Sequence, residues 1–135
     1  MTADRRTAPV TVVPKVYDLV LWLIPRINEF PRAQRFVLGE RIETTALDLL
    51  DILVEAQYSQ DKLELLSRAN LALARLRHLL RLANDLHFLG VRRFEFVSEH
   101  VEEIGRMIGG WVKHQQSKRP APMERMERED VSASL

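Results

Sequence analysis

Four long segments of this chain repeat apolar residues at three- and four-residue steps, with only a few residues between one segment and the next. That period belongs to helices whose apolar faces must be buried against one another. Proline and glycine mark the joints. Pro14 suits the first turn of a helix, where its missing N–H costs nothing, and Val16, Val20, Leu23, Ile24 and Ile27 then share one face as far as Phe30. Pro25 lies inside this first helix and predicts a kink or local irregularity, and Pro31 ends the helix or starts the next. The second helix runs from about Ala33 to Gln57 on Leu38, Ile42, Ala46, Leu49, Leu53 and Ala56. Gly39 within it costs about 1 kcal/mol in helix propensity and points to close approach by a neighbour. The third helix, Gln60 to Phe88, opens with Asp61 and Glu64 spaced as a capping pair, buries Leu66, Ala69, Leu73, Leu76, Leu80 and Ala83, and stops at Gly90. The fourth, about Val91 to His114, aligns Phe94, Val97, Val101, Ile104, Ile108, Trp111 and Val112.

Helices of this length joined by short connections become antiparallel neighbours, so the expected fold is all-α, an antiparallel up-down-up-down four-helix bundle. The expected organisation is a flexible arm over residues 1–14, the bundle over 15–116 and a disordered tail over 117–135. The tail begins near Pro120 and Pro122 and continues into mixed charge from Glu124 to Asp130. With 46% hydrophobic and 29% charged residues in 135, the chain has the composition of one compact domain. Zero cysteines exclude disulfides and thiolate metal sites and fit a cytoplasmic protein. The longest strongly apolar run, Leu19 to Ile24, is far short of the roughly 20 residues that span a bilayer, so no membrane association is expected.

The formal net charge is only +1, yet it is unevenly spread. Residues 61–93 hold seven basic and three acidic side chains, net +4, whereas residues 33–57 hold two basic and five acidic, net −3. At 100° per residue Arg68 and Arg75 lie on one border of the third helix's core stripe, with Arg77 and Arg81 on the other. Such residues either cover apolar neighbours and pair with acids, or face a polyanion. Arg92 and Arg93 sit in the first turn of the fourth helix, where a cation opposes the helix dipole. Beside free N–H groups they predict an anion site, with a neighbouring carboxylate as the alternative partner.

Apolar residues beyond those one core can use form second stripes: Trp22, then Phe36, Leu47, Leu50 and Val54, then Leu71 and Leu82, then Phe96 and Met107. They predict self-association, with Trp22, Phe36, Leu71 and Leu82 as interface candidates; a wider core-facing arc would account for about half of them. Catalytic signals are absent: no two of His78, His87, His100 and His114 have metal-ligand spacing, and no phosphate loop or nucleophile elbow occurs. No cofactor is expected. Gly105 and Gly109 form a GxxxG that reads as close helix packing.

The stretch PKVYDLVLWLIPRINEFPRAQRFVLGERIETTALDLLDILVEAQYS, the run LLSRANLALARLRHLLRLANDL and the closing EEIGRMIGGWVK together resemble the accessory variability proteins of diversity-generating retroelements. These are part of a wider group of four-helix proteins that includes those of ribosomal RNA intervening sequences. The resemblance covers roughly Pro14 to Lys113. It implies a homopentamer of four-helix protomers and a non-catalytic partner of the element's reverse transcriptase that binds template RNA or DNA during mutagenic retrohoming. Under it, Arg68, Arg75, Arg77 and Arg81 are the candidates for the basic surface, joined by Arg92 and Arg93 from the anion-site reasoning. Two other readings share the fold: a stand-alone protein of the intervening-sequence type, and a helical adaptor that binds an acidic protein without nucleic acid.

Overall fold

A computed structural model describes residues 4–118, with side chains from Thr11 onward. The architecture is a four-helix bundle: α1 (Asp4–Ile27), α2 (Glu40–Tyr58), α3 (Lys62–Asp85) and α4 (Val91–Gln116). Each helix packs beside the next and α4 returns to α1, which closes an antiparallel up-down-up-down square. No strand occurs among the described residues. The core is the predicted set of faces, except that Ile24, Phe94 and Val112 are only partly buried at its edge, and it is joined by Val12, Leu19, Leu65, Ala72 and Leu89. Val97, Val101, Ile104, Ile108 and Trp111 form the buried side of α4.

Three boundaries differ from the sequence expectation, each for a physical reason. The first helix begins at Asp4, not at Pro14, so most of the expected arm is helical. Pro14 is exposed inside it, while Val12 and Val16 are wholly buried. Burial of a valine contributes about 1.5–3 kcal/mol, comparable to the roughly 3 kcal/mol an internal proline costs. The expected tail lies outside the described residues from position 119.

Pro25 falls in the last turn of α1, and the helix ends two residues later rather than at Phe30. The chain then tightens, with Glu29 N–H donating to Arg26 O and Phe30 N–H to Ile27 O. Phe30 turns inward, 2% exposed, and meets Phe88 at a ring-centroid distance of 5.4 Å. The chain does not enter α2 directly. Arg32–Gln34 make one helical turn, and Arg35–Gly39 form a π-helical segment that leads into α2. A Cβ on Gly39 would lie 2.7 Å from Ile27 Cγ2, so the close approach predicted for this glycine is real, and it is a side chain of α1 that makes it.

The third helix ends at Asp85, five residues before Gly90. Its stop is a Schellman motif with His87 in the left-handed position at φ 68°. His87 N–H donates to Asn84 O, and Phe88 N–H donates to Ala83 O. At the other end, the expected Asp61 and Glu64 capping box does not form. Instead Ser59 Oγ accepts from Asp61 N–H, and Lys62 Nζ donates to the carbonyls of Ala56 and Gln57 at the end of α2. One lysine thus ties the C-terminus of α2 to the start of α3. Of the GxxxG pair, Gly105 packs against Leu73 and Arg77 of α3, whereas Gly109 faces open space.

Candidate nucleic-acid and partner interface

The outward surface of α3 carries the predicted arginines, because its inward stripe is fully occupied by leucine and alanine from Leu65 to Ala83. Helical spacing divides the four in two pairs, as expected from the sequence. Arg68 and Arg75 border α2; Arg77 and Arg81 border α4. All four are at least partly exposed. Between the pairs runs a central ridge of Leu71, His78 and Leu82, with Leu71 53% and Leu82 47% exposed. The basic and the apolar candidates of α3 are therefore one surface.

The arginines differ in what holds them. Arg77 Nε lies 3.4 Å from Glu102 Oε2 of α4, and Arg81 Nε lies 3.9 Å from Asp85 Oδ2 on its own helix. Both rim a cleft of about 220 Å³ whose floor is Leu80, Phe94 and Val101. Among the described residues Arg68 and Arg75 form no ion pair, although they line a groove of about 450 Å³ with Asp48, Asp51 and Glu55 of α2 on its far wall.

The two arginines that open α4 also part ways. Arg93 turns back and donates through Nη1 to Glu29 Oε1 at 2.7 Å, joining the start of α4 to the turn after α1. That hydrogen bond and the charge of Arg93 hold the Glu29 carboxyl below the usual carboxylate range, with Arg26 adding to the effect. The neighbouring-carboxylate partner, not a shared anion site, thus accounts for Arg93. Arg92 is exposed and forms no ion pair among the described residues. No side chain caps the N-terminus of α4 beside it.

Sequence reasoning passed over Arg26, Arg32 and Arg35, which stand at the same end of the bundle. Arg26 lies over the Trp22 ring at 5.0 Å, and the Nε atoms of Arg26 and Arg35 are buried without a hydrogen-bond partner. The signal was present in PRAQR, but it reads as a turn motif until the π-helical segment places it.

The apolar candidates are likewise sorted. Trp22 packs inside the protomer, half-buried against Phe96 at 5.3 Å, and Leu50 and Met107 also pack on the core. Phe36 and its neighbour Val37 stand 65% and 66% exposed on the π-helical segment, and Leu47, Val54, Leu71, Leu82 and Phe96 remain exposed as well. No helix among the described residues is long and apolar enough to cross a membrane.

A family model described as bAvd-like matches residues 10–115, most of the chain and all four helices. No curated protein matches the chain. The chain belongs to the bAvd-like family, the accessory variability proteins whose helix and turn signatures it carries.

Proposed function

We propose, with that family membership as premise, that this chain is the non-catalytic accessory protein of a diversity-generating retroelement. It acts in the cytoplasm, assembles as a homopentamer, and uses the basic face of α3 to bind the element's reverse transcriptase and template RNA or DNA in mutagenic retrohoming. The observation that carries this reading is the exposure of Arg68, Arg75 and Arg92, none of which forms an ion pair among the described residues, on a chain that matches the family over residues 10–115.

The physical basis is additive charge. One protomer offers a few free guanidinium groups on a rigid helix, which is too little for firm polyanion binding, while several copies in one ring multiply phosphate contacts at fixed spacing. Binding of this kind reads the backbone and not the sequence of bases, and it weakens steeply with salt. Exposed Phe36, Val37, Leu71 and Leu82 supply apolar area of the sort that self-association covers.

The test is reconstitution. Copying of the template RNA by the element's reverse transcriptase should need this protein, and an Arg68→Ala, Arg75→Ala, Arg92→Ala variant of unchanged oligomer size should support it poorly. Copying that proceeds equally well without the protein would overturn the assignment.

A further inference from the structure

The cleft between α3 and α4 differs in character from the rest of the α3 surface. Its floor is apolar and includes the Phe94 ring, which packs partly buried against the core, while Arg77, Arg81, Ser98 and Glu102 stand on its rim. At about 220 Å³ it is smaller than the roughly 300 Å³ from which pockets for whole drug-sized ligands begin, so it suits one planar ring system.

The rim keeps hydrogen-bonding capacity to spare. Arg77 meets Glu102 through Nε alone, at 3.4 Å, whereas a guanidinium carries several N–H donors and a carboxylate several acceptor positions. A donor and an acceptor therefore stand side by side above an apolar floor. Arg81 reaches Asp85 only at 3.9 Å, and its side chain is 75% exposed at the mouth of the cleft. An apolar face, a mixed donor and acceptor edge and a nearby anion are the three parts of a nucleotide. A lipid tail or an aliphatic side chain would leave the rim unused.

We infer that this cleft takes one unpaired nucleobase of a bound strand. The base lies on Phe94 and Val101, its edge meets the Arg77 and Glu102 pair, and its phosphate lies on Arg81. This rests on the nucleic-acid role proposed above, and it leaves Arg68 and Arg75 on the opposite border of α3 free for other phosphates of the same strand. The two borders are separated by about one helix diameter, roughly 10 Å, which three stacked nucleotides at about 3.4 Å each cover. A paired base has its edge and both faces occupied, so the cleft selects single strands over duplex. Every base has an apolar face, so the selection needs no particular sequence.

The full-length protein can be tested at low salt with an oligoadenylate strand, the same strand without its bases, and the duplex of oligoadenylate with oligouridylate. The parent should bind the base-bearing strand about tenfold more tightly than the abasic one. Ser98→Phe, which fills the cleft from its rim, should remove that preference and leave duplex affinity unchanged, while Ser98→Ala should behave as the parent. Equal affinity of the parent for the two strands would overturn the inference without any variant. So would a Ser98→Phe protein that keeps the preference, or that loses duplex and single-strand binding alike. Adenosine monophosphate that binds the parent but not Ser98→Phe, with strand binding the same in both, would assign the cleft to free nucleotides and overturn its role on a strand. A parent that binds none of the three nucleic acids would instead defeat the proposed function, and this inference with it.

Discussion

The two long seams that flank the bundle are closed in opposite ways. Along α1 and α4, Lys15 pairs with Glu103 at 3.1 Å, His100 Nε2 lies 3.3 Å from Lys15 O, Trp22 meets Phe96, Arg26 covers Trp22, and Glu29 holds Arg93. Each of these side chains has a partner across the seam or an aromatic face to lie on. Along α2 and α3 the charges are more numerous and of opposite sign, yet they meet nowhere among the described residues and leave an open groove. Complementary charge on adjacent helices does not ensure pairing, and where it fails the charges remain available to something else. In this molecule the charged side chains of one seam are paired and those of the other face outward.

The sharpest way to break that contrast is Trp22→Ala. It removes the aromatic centre of the closed seam and should lower unfolding free energy by about 2–4 kcal/mol, somewhat less than a fully buried aromatic would cost. Urea denaturation measures it, and a loss below about 1 kcal/mol would mean the seam is not closed by this ring. Next comes Gly39→Ala at the joint between α1 and α2. The new methyl group meets Ile27, which is 3% exposed and cannot yield easily, so a loss of about 1–3 kcal/mol is expected in the same assay.

Glu29→Gln is a smaller change and is visible through pH. The folded carboxyl is held low by Arg93, so its stabilising contribution is full above the carboxyl's unfolded pKa and is lost as pH falls through the folded pKa. Thermal melts between neutral and acid pH should show this part of the acid-side loss in the parent and not in the variant. Least of all, Asp48→Asn with Asp51→Asn in the open seam should shift stability by under about 0.5 kcal/mol. A large loss there would show that the groove acids hold the fold together after all.

How far the sequence revealed this depends on the kind of interaction. The inward faces of α2, α3 and α4 were legible in direction, because 3.6 periodicity and burial are the same fact seen twice, although Leu65 and Ala72 widen the buried stripe of α3 and Phe94 and Val112 lie only at the edge of that of α4. The ends were not. The sequence reading carried α3 on to Gly90, but His87 takes the left-handed position, and the bonds from His87 N–H to Asn84 O and from Phe88 N–H to Ala83 O decide where the helix stops. The start of α1 was hidden because Pro14 argued for a beginning, while the burial of Val12 is a tertiary effect.

For the candidate surface, the helical wheel separated Arg68 and Arg75 from Arg77 and Arg81 correctly. Which arginine has a partner could not be read, because Glu102 and Glu29 reach Arg77 and Arg93 from other helices and turns. Trp22 read as an interface candidate, and Phe96, 74 positions away in sequence, packs against it within the protomer.

The contrast between free and engaged arginines meets its most direct test in the salt dependence of single-stranded RNA binding by the assembled protein. Log affinity should fall linearly with log salt, and Arg68→Ala, Arg75→Ala, Arg92→Ala should lower the magnitude of the slope by about 2 for each protomer engaged, at roughly 0.7 per lost phosphate contact. The Arg77→Ala, Arg93→Ala variant, which removes partnered cations, should lower it by clearly less. Equal slopes for the two variants, or no RNA binding at low salt, would contradict the account.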